Sequence, residues 1–251
     1  MTVVLVHGNP ESDAIWGPLV DALDRETAAD VVRLSPPGFG APLPDDFAAD
    51  HLAYRDWLAR ELSRFSEPVD LVGHDWGGGH VLNVVMHRPE LVRSWVSDVL
   101  GILDPDYVWH DMAQLWRKPG EGEAAIEAII GAALPDRAAT LIALGMPEDV
   151  AAEVAMAQSP AMGKAILALY RSAPEPVLAQ MAEGLERAAV RPGLSILATA
   201  DTFVGTEEMR RRAAERAGAR TEVFEGLGHW WMLEDPQSAA AALSAFWKSV
   251  G

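Results

Sequence analysis

The chain reads as an α/β protein with a doubly wound, mostly parallel sheet and a helical cap inserted into it. Three observations predict this. Short β-branched runs alternate with helical patterns, the runs are mostly apolar, and the alternation stops for a long stretch in the middle of the chain. The runs Thr2–Val6, Val31–Leu34, Val69–Val72, Trp95–Val99, Ser195–Ala198 and Thr221–Phe224 are expected strands. A continuous apolar run of that length suits a strand covered on both faces, as in a parallel sheet. Between them, Trp16–Leu23, Leu52–Phe65, His80–Met86, Thr206–Ala217 and Ser238–Lys248 carry helical patterns, and strand and helix in alternation give the doubly wound architecture.

From about Gly101 to Ala189 no strand is expected, and Ala, Leu, Ile and Met recur at helical spacing. Pro119, Pro135, Pro147, Pro160 and Pro174 divide the stretch into short helices, because a proline starts or ends an element. The expected organisation is a core of residues 1–100 and 190–251 with a cap of residues 101–189.

Composition narrows the function classes. A chain of 251 residues, 49% hydrophobic, can bury a sizeable core. A net charge of −17 argues against nucleic acid or an anionic membrane as partner, since phosphate binding needs clustered Lys and Arg. The absence of cysteine removes thiolate nucleophiles, disulfides and Cys-based zinc sites. No segment approaches the roughly 20 apolar residues of a membrane span, and the expected location is the cytoplasm. His51, His80 and His87 lack metal-ligand spacing, and neither metal nor cofactor is expected. A small molecule is the expected partner.

The chemistry concentrates after the third strand, where Gly73-His74-Asp75-Trp76-Gly77-Gly78 forms G-x-D-x-G-G ahead of a helix expected near Gly79. Small residues allow a sharp strand-to-helix turn that lifts its central side chain above the sheet, and that side chain is Asp75. The helix N-terminus behind it favours negative charge.

On these residues the chain resembles the α/β-hydrolase superfamily, over nearly its whole length. His7-Gly8-Asn9-Pro10 resembles the family's oxyanion loop, Asp201-Thr202-Phe203-Val204 its acid loop and Gly226-Leu227-Gly228-His229 its histidine loop, in the family's order. The resemblance implies Asp75 as nucleophile, His229 as base and Asp201 as the acid that orients it, with Asp98 at the end of the preceding strand as the alternative acid. The backbone N–H groups of Asn9 and Trp76 are the implied oxyanion donors. The antiparallel strands that usually precede the oxyanion loop are missing.

An aspartate is already ionised at neutral pH and needs no base to attack, which frees His229 to activate water. Its attack on a saturated carbon bearing a leaving group gives an ordinary ester, so the expected substrate is a small apolar molecule with such a carbon, and water is the co-substrate. This is the epoxide hydrolase and haloalkane or haloacetate dehalogenase branch. An opened epoxide needs an acidic O–H, and Tyr170-Arg171 resembles the cap Tyr-Arg element of epoxide hydrolases; a halide needs only N–H donors, and Asn9 with Trp76 resembles the dehalogenase halide pair. Tyr107-Val108-Trp109-His110-Asp111 resembles the first cap helix of both branches, but Met112 stands where a second cap tyrosine is expected. Tyr107 is the nearest substitute, and Trp109 and His110 are further substrate-binding candidates. The pocket is expected to be apolar, lined by Trp109, Met112, Trp116, Trp230 and Trp231. Epoxide hydrolysis is the leading expectation and dehalogenation the alternative; a ligand-binding protein without activity is the third, since fold does not fix function.

Overall fold

Six strands form one wholly parallel sheet in the computed structural model, which describes residues 1–251. They are β1 (Thr2–Val6), β2 (Asp30–Leu34), β3 (Val69–Gly73), β4 (Val92–Ser97), β5 (Gly193–Ala198) and β6 (Ala219–Phe224), in the order β2-β1-β3-β4-β5-β6. The order reverses between β1 and β3, and in open α/β sheets ligands bind above the strand ends at such a point. Successive residues point to opposite faces: Val3 and Leu5 enter one hydrophobic core, Val4 and Val6 the other. One face is covered by α1 (Gly17–Glu26), the other by α2 (His51–Leu62) and α3 (Trp76–His87).

Between β4 and β5 the chain is helical: α4 (Asp111–Arg117), α5 (Glu121–Ile130), α6 (Leu134–Ala143), α7 (Glu148–Ala157), α8 (Pro160–Ser172) and α9 (Glu175–Met181). Pro135 and Pro160 sit in the first turns of α6 and α8, and Pro147 and Pro174 immediately precede α7 and α9, where the missing N–H costs nothing. The chain closes with α10 (Glu207–Arg216), the single turn α11 (Trp231–Glu234) and α12 (Pro236–Ser249), and α12 packs beside α1.

Among the boundaries that differ from expectation, two bear on the site. The strand β4 begins at Val92 and ends before Asp98, three residues earlier at its start than the apolar pattern suggests. Its polar residues are paid for by Asp70 in β3, which is fully buried, accepts from Ser94 Oγ and pairs with Arg93. The helix α3 begins at Trp76, so the glycine run lies inside it. A side-chain carbon at Gly77 would stand 2.1 Å from the carbonyl oxygen of Val6, and one at Gly78 2.7 Å from Ser97 Oγ. Close contact of α3 with the sheet outweighs the weak helix propensity of glycine.

Candidate active site

Asp75 stands between β3 and α3 with φ +48° and ψ −129°, a conformation an L-residue adopts only where its surroundings dictate it. Its backbone N–H donates to Asp98 Oδ1 at 3.1 Å, and its Oδ2 accepts from the backbone N–H of Asn9 at 2.9 Å. A side-chain carbon at Gly8 would lie 2.2 Å from that Oδ2, so the glycine is what lets the β1 loop approach the carboxylate. One carboxylate oxygen is thus held and the other accepts from no protein donor. Loss of water beneath the cap pushes the Asp75 carboxyl up to about 6, although His229 favours its charged form.

His229 Nδ1 and Asp201 Oδ2 are 2.9 Å apart. Burial alone would lower the histidine; the Asp201 charge and this hydrogen bond outweigh burial and raise it above its ordinary 6.5. Burial opposes ionisation of Asp201 as well, yet His229 and the Phe203 N–H hold its carboxyl below the usual range. Asp98, the alternative acid, does not reach His229. Its Oδ2 meets His74 Nδ1 at 2.5 Å and accepts from Trp231 Nε1 at 2.7 Å.

Beneath Asp75 lies a buried network that sequence reading missed. His74 bridges Asp98 and Glu11, with Nε2 3.1 Å from Glu11 Oε1, and all three side chains are at most 4% exposed. Glu11 also accepts from Gly8 N at 3.1 Å and from Trp230 Nε1. Burial would raise Glu11, but His74 draws it down to about 2; burial would lower His74, but Asp98 and Glu11 hold it well above its ordinary value. His74 is therefore a buried imidazolium between two carboxylates, joining the oxyanion loop, the Asp75 turn, the end of β4 and the histidine loop. A glutamate directly after Pro10 and a histidine directly before Asp75 were the available signals. Glu11, His74 and His229 bring ligand atoms within 4.8 Å of one another, but a protonated His74 has no lone pair for a metal.

The cap closes a cavity of about 80 Å³ over Asp75 and His229. Tyr170, in α8 and 2% exposed, lines it, and its hydroxyl oxygen accepts from Asn9 Nδ2 at 3.0 Å. The rings of Trp76, Trp109 and Trp116 pack around it with centroids 5.5, 5.1 and 5.0 Å away. Burial and the nearby Asp75 charge raise the tyrosine well above its ordinary value. His110 lines the same cavity; its Nδ1 caps α4 by accepting from Ala113 N at 3.3 Å, so Nε2 carries the hydrogen. Burial, with a push from His229, lowers it to about 4 and keeps it neutral.

Other candidates are placed differently from expectation. The Tyr107 hydroxyl donates to the Phe203 carbonyl at 2.8 Å, and the Trp109 indole N–H to the Ala173 carbonyl at 2.8 Å, so neither has a donor to spare. Trp109 instead walls a smaller void beside Asp75 with Trp76. Arg171 turns outward and pairs with Glu123, while Trp231 is wholly buried in the core. Met112, Trp116 and Trp230 do line the main cavity.

The alpha/beta hydrolase family matches residues 3–243. Among solved structures, an epoxide hydrolase A from Mycobacterium thermoresistibile superposes with a TM-score of 0.75 at 21% identity, covering 98% of this chain and 91% of its own. A loop variant of a haloalkane dehalogenase from Bradyrhizobium elkanii gives 0.75 at 16% identity, covering 99% and 89%. A meta-cleavage product hydrolase from Pseudomonas fluorescens gives 0.74 at 17%, covering 100% and 92%. At these identities the likeness is one of fold. A search of curated protein sequences returns no significant match. No helix is long and apolar enough to cross a membrane. With the strand-turn-helix around Asp75, the histidine and acid loops in order and the family matched over almost the full length, the chain belongs to the alpha/beta hydrolase family and is a hydrolase.

Proposed function

We propose that the protein opens epoxides to vicinal diols through an alkyl ester on Asp75. The observation that carries this reading is the Tyr170 hydroxyl: it accepts the Asn9 amide hydrogen, which leaves its own proton for a substrate oxygen in the cavity that Asp75 lines. Asp75 Oδ1 attacks one epoxide carbon and the C–O bond breaks. Tyr170 gives its proton to the departing oxygen, with the neutral His110 N–H as second donor in place of the missing tyrosine. Ionised Asp75 disfavours a tyrosinate, but ester formation consumes that charge as the proton leaves, so the obstacle falls in the step that needs it removed.

His229, oriented by Asp201, then takes a proton from water, which adds to the ester carbonyl while the N–H groups of Asn9 and Trp76 hold the oxyanion. Collapse releases the alcohol, which takes the proton from His229. The carboxyl proton left on Asp75 restores Tyr170, so epoxide and water give the diol and the enzyme is unchanged.

Dehalogenation is the second reading, and one observation favours it. The indole N–H groups of Trp76 and Trp116 are buried without an acceptor beside Tyr170, and N–H donors suffice for a halide.

The test is His229→Gln treated with terminal epoxides, bromoalkanes and haloacetates. The base is lost, so the ester should accumulate on the peptide bearing Asp75. Added mass equal to the whole epoxide supports the leading reading, and an alkyl part alone supports the second. Full ¹⁸O incorporation from water in the first turnover of the wild type, with no adduct in the variant, would remove the covalent route.

A further inference from the structure

We infer that the substrate carries a carboxylate and that Arg137, in α6 of the cap, binds it. The inference rests on the proposed reaction for its electrophilic carbon, but the binding site is argued independently. Most of the cavity wall is apolar, and apart from Asp75, Tyr170 and the histidines the one ionisable side chain lining it is Arg137. Its Nη1 donates to the backbone carbonyl of Gln158 at 2.8 Å, and its Nε is buried with no acceptor. Nη1 is the nitrogen cis to Cδ and lies off the Nε–Nη2 edge, so this bond fixes the group while leaving that edge without a protein partner. That edge presents two parallel N–H donors, the geometry that matches a carboxylate, and a buried N–H is rarely left unmade unless something else supplies the acceptor.

The charge tells in the same direction. The chain holds 37 acidic residues, and the other arginines of the helices α4–α9, Arg117 and Arg171, are paired with Glu175 and Glu123. Arg137 faces the cavity instead. A guanidinium that lines a mostly apolar cavity without a carboxylate of its own is matched best by an anion. A second unpartnered atom stands close by: Gln158 is 5% exposed, its Nε2 reaches the Pro10 carbonyl at 3.4 Å and its Oε1 accepts nothing. A carboxamide would serve both Arg137 and that Oε1 without charge, and so provides the sharpest comparison. A carboxylate gains the charge-assisted pair, which decides for it.

The experiment titrates hexanoate, hexanamide and n-hexanol into wild type, Arg137→Gln and Arg137→Lys by calorimetry, with thermal melts of each. Hexanoate should bind wild type roughly 10- to 100-fold more tightly than either neutral probe, the usual worth of charge-assisted hydrogen bonds. Arg137→Gln should erase the difference, and Arg137→Lys, which keeps the charge but not the fork, should restore part of it. Equal or tighter binding of hexanamide or n-hexanol by wild type overturns the proposal and needs no variant. So does an unchanged hexanoate affinity in a folded Arg137→Gln protein. Turnover of a homologous series of epoxy acids and their methyl esters separates this failure from that of the reaction. Arg137-dependent hexanoate binding without turnover of any epoxide sinks the reaction and leaves the site standing. Turnover of plain epoxides with no preference for the acids sinks the site and leaves the reaction standing.

Discussion

In the proposed reaction Asp75 must be ionised to attack and His229 neutral to take a proton, and the fold shifts both groups. Burial lifts Asp75 to about 6, so formation of the ester should rise with pH through that value. Asp201 overcomes burial to raise His229 above 6.5, so hydrolysis of the ester should rise through a higher value. The two limbs belong to a coupled pair and are read as apparent values. Rapid-quench mass spectrometry from about pH 5 to about pH 9 should show the ester accumulating most in the interval between them, where the first step runs and the second does not. An ester that accumulates only at the alkaline end would contradict these assignments. Asp201→Asn removes the raising charge and should slow hydrolysis more than ester formation. Tyr170→Phe tests the proton donor: on the best epoxide it should cost roughly 10²- to 10⁴-fold, with a smaller loss if His110 shares the role. An unchanged rate would shift the balance to dehalogenation.

At the scale of elements, the Glu11–His74–Asp98 network ties four loops together around one buried cation. Truncating one member leaves the others charged without a partner, which costs on the order of 3–5 kcal/mol. Glu11→Gln should therefore lower the melting temperature by about 10 °C for a chain of this size. The sign of the pH dependence follows from the shifts. Glu11, depressed from 4.5 to about 2, contributes stability that is present above 4.5 and lost as pH falls toward 2. His74, raised, contributes fully below 6.5 and less as pH climbs through its elevated value. Chemical denaturation of Glu11→Gln should thus show a flatter acid limb than wild type; an equally steep one would place the acid sensitivity elsewhere. These contacts also mark where the sequence was legible. β1, β5 and β6 were readable from apolar runs, and the cap helices from their prolines, because those signals are local. The loops of Asp75 and His229 were legible because each carries its own glycines, and Asp201 was singled out by the order of the loops in the resemblance. Glu11, His74, Arg137 and Gln158 were not, since their meaning depends on partners up to 219 residues away, as in the bond between Trp230 and Glu11. Tyr107 and Trp109 show the same limit: their residue types promise donors, and only the fold shows where those donors go.

The cap reads in sequence as a separate block, yet its helices divide between the two cores. Ala113, Trp116, Ile126, Met162, Leu169 and Leu178 join Val81, Val85 and Trp95 on one side of the sheet. Leu141, Met146, Val150 and Val154 join Val3, Leu5, Leu19 and Leu243 on the other. Neither cap group buries its apolar residues without the sheet and its helices, and each core loses part of its cover without the cap. A unit with its own core can unfold alone; one that shares two cores cannot do so without exposing both. We therefore expect one cooperative transition in urea, with tryptophan fluorescence and far-ultraviolet circular dichroism superimposing at a single midpoint. The tryptophans sample both regions: Trp109 and Trp116 report on the cap, and Trp16, Trp231 and Trp247 on the core that α1 and α12 share. Fluorescence of a variant with Trp109 and Trp116 replaced by Phe would follow only tryptophans outside the cap. If its midpoint moved apart from that of the circular dichroism, the cap would be opening as a unit of its own, and the site it completes around Tyr170 would be assembled only part of the time.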